Sequence, residues 1–159
     1  TDPAGIVTFI NDYVIEHHLH AVPYMYVTLF YGVVDTRTGN IEFVNAGHLP
    51  PLVVSAKQVS RLDGPRGPAI GLAAGTRYAS AADLLKPGHT LLVYTDGLTE
   101  ARRQEGIMLT VDELCLAVQM LPRRPQELLD ALAEKLLPSG QDKELADDVT
   151  MVAMKRSDA

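Results

Sequence analysis

The alternation of apolar and polar positions predicts a leading helix, a run of short strands, two further helices and a closing strand. Thr1-Asp2-Pro3 reads as a helix start, an oxygen-bearing cap followed by proline at the first helical position. Ile6, Ile10, Tyr13, Val14 and His17 then recur at helical spacing, giving an amphipathic helix over about residues 3–19. From Met25 to Val34 the chain is apolar on both alternations and rich in β-branched and aromatic residues, as a strand covered on both faces would be, so it is expected at the centre of a sheet. Turn chemistry over 35–40 and the alternation of Ile41-Glu42-Phe43-Val44 complete a hairpin. Asn45-Ala46-Gly47-His48 and Leu49-Pro50-Pro51 halt that strand, and 52–55 with 58–62 form a second short hairpin. Glycines and prolines punctuate 63–75, which predicts a loop with little structure of its own.

Residues 78–85 are ambiguous, since alanine favours a helix and the short flanking turns favour a strand; the strand is the preferred reading. Lys86-Pro87-Gly88 is a turn, and residues 89–94 form a strongly apolar strand running into Thr95-Asp96-Gly97. Thr110 and Glu113 make a capping box, with Leu109 and Leu114 as its hydrophobic staple, and Val111, Leu114, Val118 and Leu121 form one apolar stripe. After Pro125, Leu128, Leu129, Leu132 and Leu136 form another. A polar loop over 138–144 leads to Asp147-Asp148 and a last strand over 149–154. These elements add up to an α+β fold in which antiparallel β-sheets are sandwiched between helices.

Composition narrows the function classes. With 159 residues, 47% of them hydrophobic, the chain fits one globular domain spanning 1–159. The formal net charge of −6 provides no broad basic field, which argues against nucleic acid or an anionic membrane surface as a partner. The longest apolar run, 24–34, is too short to cross a bilayer and the start lacks the regions of a signal peptide, so a cytoplasmic protein is expected. Cys115, the only cysteine, lies among Leu114, Leu116 and Val118 and reads as core packing. His17, His18 and His20 invite a metal reading, but histidines at a helix C-terminus suit the helix dipole, and that plainer account is preferred.

Candidate chemistry concentrates on carboxylates. Asp96 stands where a buried strand ends and glycine follows, so a rigid element holds it at the sheet edge while Gly97 lets the backbone turn closely. Read alone, Asp-Gly is also an ordinary turn pair. Asp147 and Asp148 are adjacent acids just before another apolar strand, where repulsion calls for compensation by a cation; alone, they are also ordinary surface charges. Together they suggest a carboxylate cluster assembled from separate strand ends, whose hard oxygens suit Mg2+ or Mn2+ rather than zinc.

These motifs resemble a known family. Tyr94-Thr95-Asp96-Gly97-Leu98-Thr99-Glu100-Ala101 is similar to its strand ending in Thr-Asp-Gly, and Asp147-Asp148-Val149-Thr150-Met151-Val152 to its closing Asp-Asp motif. Phe30 to Asp35, Gly39, Asn45 to Pro51, Gly71-Leu72 and Lys86-Pro87-Gly88 follow the same pattern in the same order. The chain thus resembles the SpoIIE/RsbU branch of the metal-dependent (type 2C) serine/threonine protein phosphatases. The resemblance implies a binuclear manganese or magnesium site whose bridging water attacks phosphoserine or phosphothreonine, with no phosphoenzyme. By position, Asp96 and Asp147 would be metal ligands, and Asp148 a neighbour that reaches a further ion or orients the first ligands. Asn45 and His48 are expected to shape a turn. The implied substrate is a phosphorylated regulatory protein, an anti-sigma factor antagonist; a homodimer is compatible with the sequence.

The family's first metal motif, an Asp-Val-Ser-Gly-His-Gly-like sequence on an earlier hairpin, has no counterpart in these residues. Asp2 belongs to a helix start and Asp12 to the helix itself, so neither replaces it. The expectation is a C-terminal portion of the domain, lacking its first strands and first metal motif, behind an upstream sensor or receiver domain. Such a portion would bind metal poorly and hydrolyse little by itself. The rival readings are a non-catalytic relative that binds partners as a regulatory module, and a metal-dependent hydrolase of small phosphate esters.

Overall fold

A computed structural model describes residues 2–18, 26–101, 106, 108–137, 145 and 147–157. The expected polar loop over 138–144 and His20 lie outside them. The described chain divides into two compact units, Thr1–His48 with Asp63–Leu84, and Leu49–Leu62 with Leu85–Ala159.

The first unit holds helix α1 (Pro3–His18) and strands β1 (Leu29–Val34), β2 (Asn40–Ala46), β5 (Arg66–Gly67) and β6 (Ala81–Leu84). β2 is its centre: it pairs antiparallel with β1 and β6, and parallel with β5 through Asn45–Arg66 and Ala46–Gly67. This corrects the expectation for residues 25–34. Among the described strands β1 pairs with β2 alone and is only partly buried, whereas Ile41 and Phe43 on one face of β2, and Val44 and Ala46 on the other, are buried. An apolar run fixes neither burial nor position in a sheet, and β2 is central although Asn40, Glu42 and Asn45 interrupt its apolar character; the Glu42 carboxylate accepts a bond from the Ser80 hydroxyl. The glycine-rich stretch after residue 62 also carries more order than expected, because it contributes β5 and a bridge between Val27 and Ile70.

α1 packs Val7 against Val44, Ala46, Ile70 and Tyr78. Fully buried Asn11 fastens this helix: its Oδ1 accepts the Gly71 N–H (3.0 Å) and its Nδ2 donates to the Ala73 carbonyl (3.1 Å). Beside it, burial and then the charge of Asp12 push the Tyr78 phenol above its ordinary pKa. At the other end of α1 the His17 ring stacks on Tyr13 and its Nδ1 lies 2.9 Å from the Tyr13 carbonyl, a local arrangement that accounts for this histidine.

The second unit holds β3 (Leu52–Val54), β4 (Val59–Arg61), β7 (Thr90–Tyr94), α2 (Asp96–Glu100), α3 (Val111–Gln119), α4 (Pro125–Leu136) and β8 (Met151–Lys155). Its sheet runs β4-β3-β7-β8, antiparallel throughout. Leu52, Val54, Leu92 and Tyr94 point from β3 and β7 to one face and are covered by Leu114 and Val118 of α3 and Leu128, Leu132 and Leu136 of α4. The expected capping box of α3 is formed in both directions between Thr110 and Glu113. Cys115 packs at the margin of this core, as expected. Among the described residues no helix is long and apolar enough to cross a membrane.

Candidate active site

The carboxylates singled out in the sequence are carried by neighbouring backbone segments. β7 and β8 pair from Thr90–Lys155 to Tyr94–Met151, so the residues just past Tyr94 and just before Met151 emerge side by side at one sheet end. The Thr95 N–H donates to the Thr150 carbonyl (3.0 Å), extending the ladder by one step. Beyond it the segments part in conformation, since Asp96 opens α2, where Asp-Gly read alone offered an ordinary turn pair. Leu98 N–H returns to the Thr95 carbonyl (3.1 Å) and the Thr99 hydroxyl to that of Asp96 (2.9 Å), which closes this short turn of helix.

Gly97 explains how α2 comes so close to the Asp147-Asp148 backbone. A Cβ at this position would collide with the Asp148 carbonyl oxygen and stand 2.8 Å from its carbon and 3.3 Å from the Asp147 carbonyl oxygen. The sequence pointed to this glycine for close approach to a ligand; the structure shows it in close approach to the second carboxylate segment. Thr95 was missed as an individual residue. Its Oγ accepts the Thr150 N–H (3.0 Å) and donates to the Asp148 carbonyl (3.2 Å). A threonine beside each acidic motif was the available signal, because a hydroxyl at a strand end can satisfy backbone groups that the ladder no longer pairs.

The carboxylates themselves are exposed. Asp96 Oδ1 accepts the Gly97 N–H (3.1 Å) and Asp147 Oδ1 the Asp148 N–H (2.7 Å), so each is oriented by its own neighbouring amide. All three offer hard oxygen donors, the kind that suits magnesium or manganese. Among the described residues no three His, Cys, Asp or Glu side chains are gathered into a set that could hold a metal ion. The donor type therefore fits a divalent cation, while the described side chains are not gathered into a closed set. Asn45 is nearly fully buried and its side-chain oxygen accepts the His48 N–H (2.9 Å), the turn-shaping role expected of this pair. An open groove of about 690 Å3 in the first unit, lined by Val33, Asp35, Glu42 and Asp83 among others, shares no residue with the carboxylate segments.

Comparison with known proteins gives the family and the fold. The family model described as Stage II sporulation protein E (SpoIIE) matches residues 1–157. The chain is 29% identical over 151 residues to Protein IcfG of Synechocystis, covering 95% of this chain and 24% of that protein. It is 26% identical over 155 residues to Phosphoserine phosphatase RsbU of Bacillus subtilis, covering 97% and 45%. The chain thus spans between about a quarter and a half of the length of these relatives. Among solved structures, the phosphatase domain of SpoIIE from Bacillus subtilis superposes with a TM-score of 0.71 at 21% identity, over 99% of this chain and 66% of that one. The RsbU and RsbW domains of a Mycobacterium tuberculosis protein give 0.67 at 22%, over 99% and 42%. At such identities the structural likeness establishes the fold, which is that of the type 2C phosphatase domain.

Proposed function

Because the chain belongs to the SpoIIE family, we propose that it forms the Asp96 and Asp147-Asp148 part of a metal-dependent phosphatase site that releases phosphate from phosphoserine or phosphothreonine on a regulatory protein. An anti-sigma factor antagonist in the cytoplasm is the proposed substrate. The observation that carries the reading is the junction of the two motifs: residues more than fifty positions apart are joined through Thr95, Asp148 and Thr150, with Gly97 packed on the Asp148 carbonyl. The name of one relative, phosphoserine phosphatase, supplies the proposed reaction class.

In this reading Asp96 and Asp147 each contribute a carboxylate to a manganese or magnesium pair, and Asp148 reaches a further ion or orients its neighbours. When bound, divalent ions of this kind lower the pKa of water and screen the phosphate charge. The chain's own part is to hold the acids on strand ends, where the rigid β7–β8 ladder limits how far they can drift. Without cations, clustered acids repel one another and the phosphate alike.

The test is phosphate release from a phosphoserine protein in Mn2+ by a protein in which this chain is joined to a segment carrying the family's first metal motif, with Asp96→Asn and Asp147→Asn. Each replacement removes charge and little volume. Turnover should fall by more than about 100-fold, beyond the roughly 10–100-fold loss typical of residues that only support a metal ligand. Unchanged turnover in both variants would remove the assignment. The incomplete set of donors among the described residues favours one alternative, a non-catalytic family member that binds partners as a regulatory module. That alternative predicts no Mn2+-dependent turnover even with that segment in place, and unimpaired partner binding by both variants.

A further inference from the structure

We infer that Thr95 is a positioning residue for the metal site, acting through its hydroxyl to fix the spacing between Asp96 and the Asp147-Asp148 pair. The inference rests on the proposal that these acids bind divalent ions, and it concerns what holds them in register.

Thr95 occupies the position before α2, where a threonine ordinarily turns its hydroxyl onto an N–H of its own helix. Here it makes no such cap bond. The hydroxyl is used across the sheet, accepting from the Thr150 N–H and donating to the Asp148 carbonyl, so both hydrogen-bonding capacities serve the opposite segment. The two groups it holds flank Val149, whose side chain packs at the edge of the hydrophobic core. One hydroxyl therefore fixes the backbone from Asp148 to Thr150 at the point where the regular ladder ends, one residue from Asp96. Gly97 closes the gap from the other side, since its missing side chain is what admits the Asp148 carbonyl.

This arrangement has a specific consequence for the acids. Asp147 and Asp148 are exposed and have no core packing of their own to set their positions. Their placement relative to Asp96 comes from the backbone that carries them, and Thr95 is the side chain that ties that backbone to the start of α2. Without the hydroxyl, the Asp148 carbonyl and Thr150 N–H can turn to solvent, and the acids would sample a wider range of separations. A cation that needs oxygens at fixed distances then loses affinity although every carboxylate remains.

The experiment follows amide signals of the full chain by two-dimensional NMR during titration with Mn2+, whose paramagnetism broadens nearby resonances even when binding is weak. Thr95→Val, Thr95→Ala, Thr95→Ser, Asp96→Asn and Asp147→Asn are compared with the unaltered protein. Broadening should centre on residues 95–98 and 147–150. Thr95→Val and Thr95→Ala should require about 10-fold more Mn2+ for the same effect, at the low end of losses for residues that orient ligands. Thr95→Ser, which keeps the hydroxyl, should return close to the original response, and the remaining spectrum should be unchanged in all three.

If Thr95→Val and Thr95→Ala respond like the unaltered protein while Asp96→Asn and Asp147→Asn do not, the positioning role fails and the metal assignment stands. If the unaltered protein shows no localised broadening, or both Asp variants keep it, the metal assignment fails and takes the inference with it. Failure of Thr95→Ser to restore the response, or unfolded spectra from both Thr95→Val and Thr95→Ala, would also overturn it, by showing that Thr95 serves general packing or stability.

Discussion

Replacing Gly97 by alanine probes the contact on which the site depends. The added Cβ meets backbone, not the flexible end of a side chain: it collides with the Asp148 carbonyl oxygen and lies 2.8 Å from the carbonyl carbon, where ordinary contact begins at 3.4 Å. Either α2 or the Asp147-Asp148 segment must retreat. Alanine is intrinsically better than glycine in a helix by about 1 kcal/mol, but that benefit applies to helix interiors, and Gly97 lies in the first turn of a five-residue helix. Overpacking a filled site costs about 1–3 kcal/mol, and the steric cost should win. Urea unfolding should show a lower midpoint with an unchanged slope, the mark of lost stability without a change in the surface exposed. The same variant should weaken the Mn2+ response of residues 95–98 and 147–150. Gly97→Ala with the original midpoint and the original Mn2+ response would refute the claimed close approach.

Two predictions concern the scaffold. Asn11→Ala leaves the Gly71 N–H and the Ala73 carbonyl without their buried partner, and stability should fall by about 1–3 kcal/mol in urea unfolding; a loss within about 0.5 kcal/mol would show that these bonds do not fasten α1. At α3, Thr110→Ala should cost about 1 kcal/mol through loss of the cap, read as a fall in Tm of roughly 2–4 °C. The Thr110 backbone N–H, and next its hydroxyl, hold the Glu113 carboxyl below its ordinary pKa. A lowered folded pKa means that this stabilisation is present above the unfolded glutamate value and is lost as pH falls through the lowered one. An NMR titration should therefore place the Glu113 midpoint below that of an ordinary glutamate, and a midpoint at or above it would refute the box.

Elements whose cause is local could be read from the chain. The capping box at Thr110 and Glu113, the stripe of Leu128, Leu132 and Leu136, and the strand over residues 90–94 each follow from neighbours within a turn or two, and each is observed. Asp96, Asp147 and Asp148 also stand out as acids at the ends of apolar strands, and the structure places the segments that carry them side by side. What the pattern of residues could not show was which strands lie side by side. Apolar character does not specify a strand's neighbours, so β1 reads as central although it is only partly buried and β2 holds that place among the described strands, and Arg66-Gly67 reads as loop although it pairs with β2.

The same division applies to the site. The chain by itself determined that carboxylate oxygens stand at the ends of apolar strands, since that is a matter of residue type and immediate context. Only the tertiary structure decided that Thr95 turns its hydroxyl away from its own helix and that Gly97 admits the Asp148 carbonyl. Both facts depend on the pairing of β7 with β8, which brings distant residues within bonding distance, and spacing along the chain does not specify such long-range contacts.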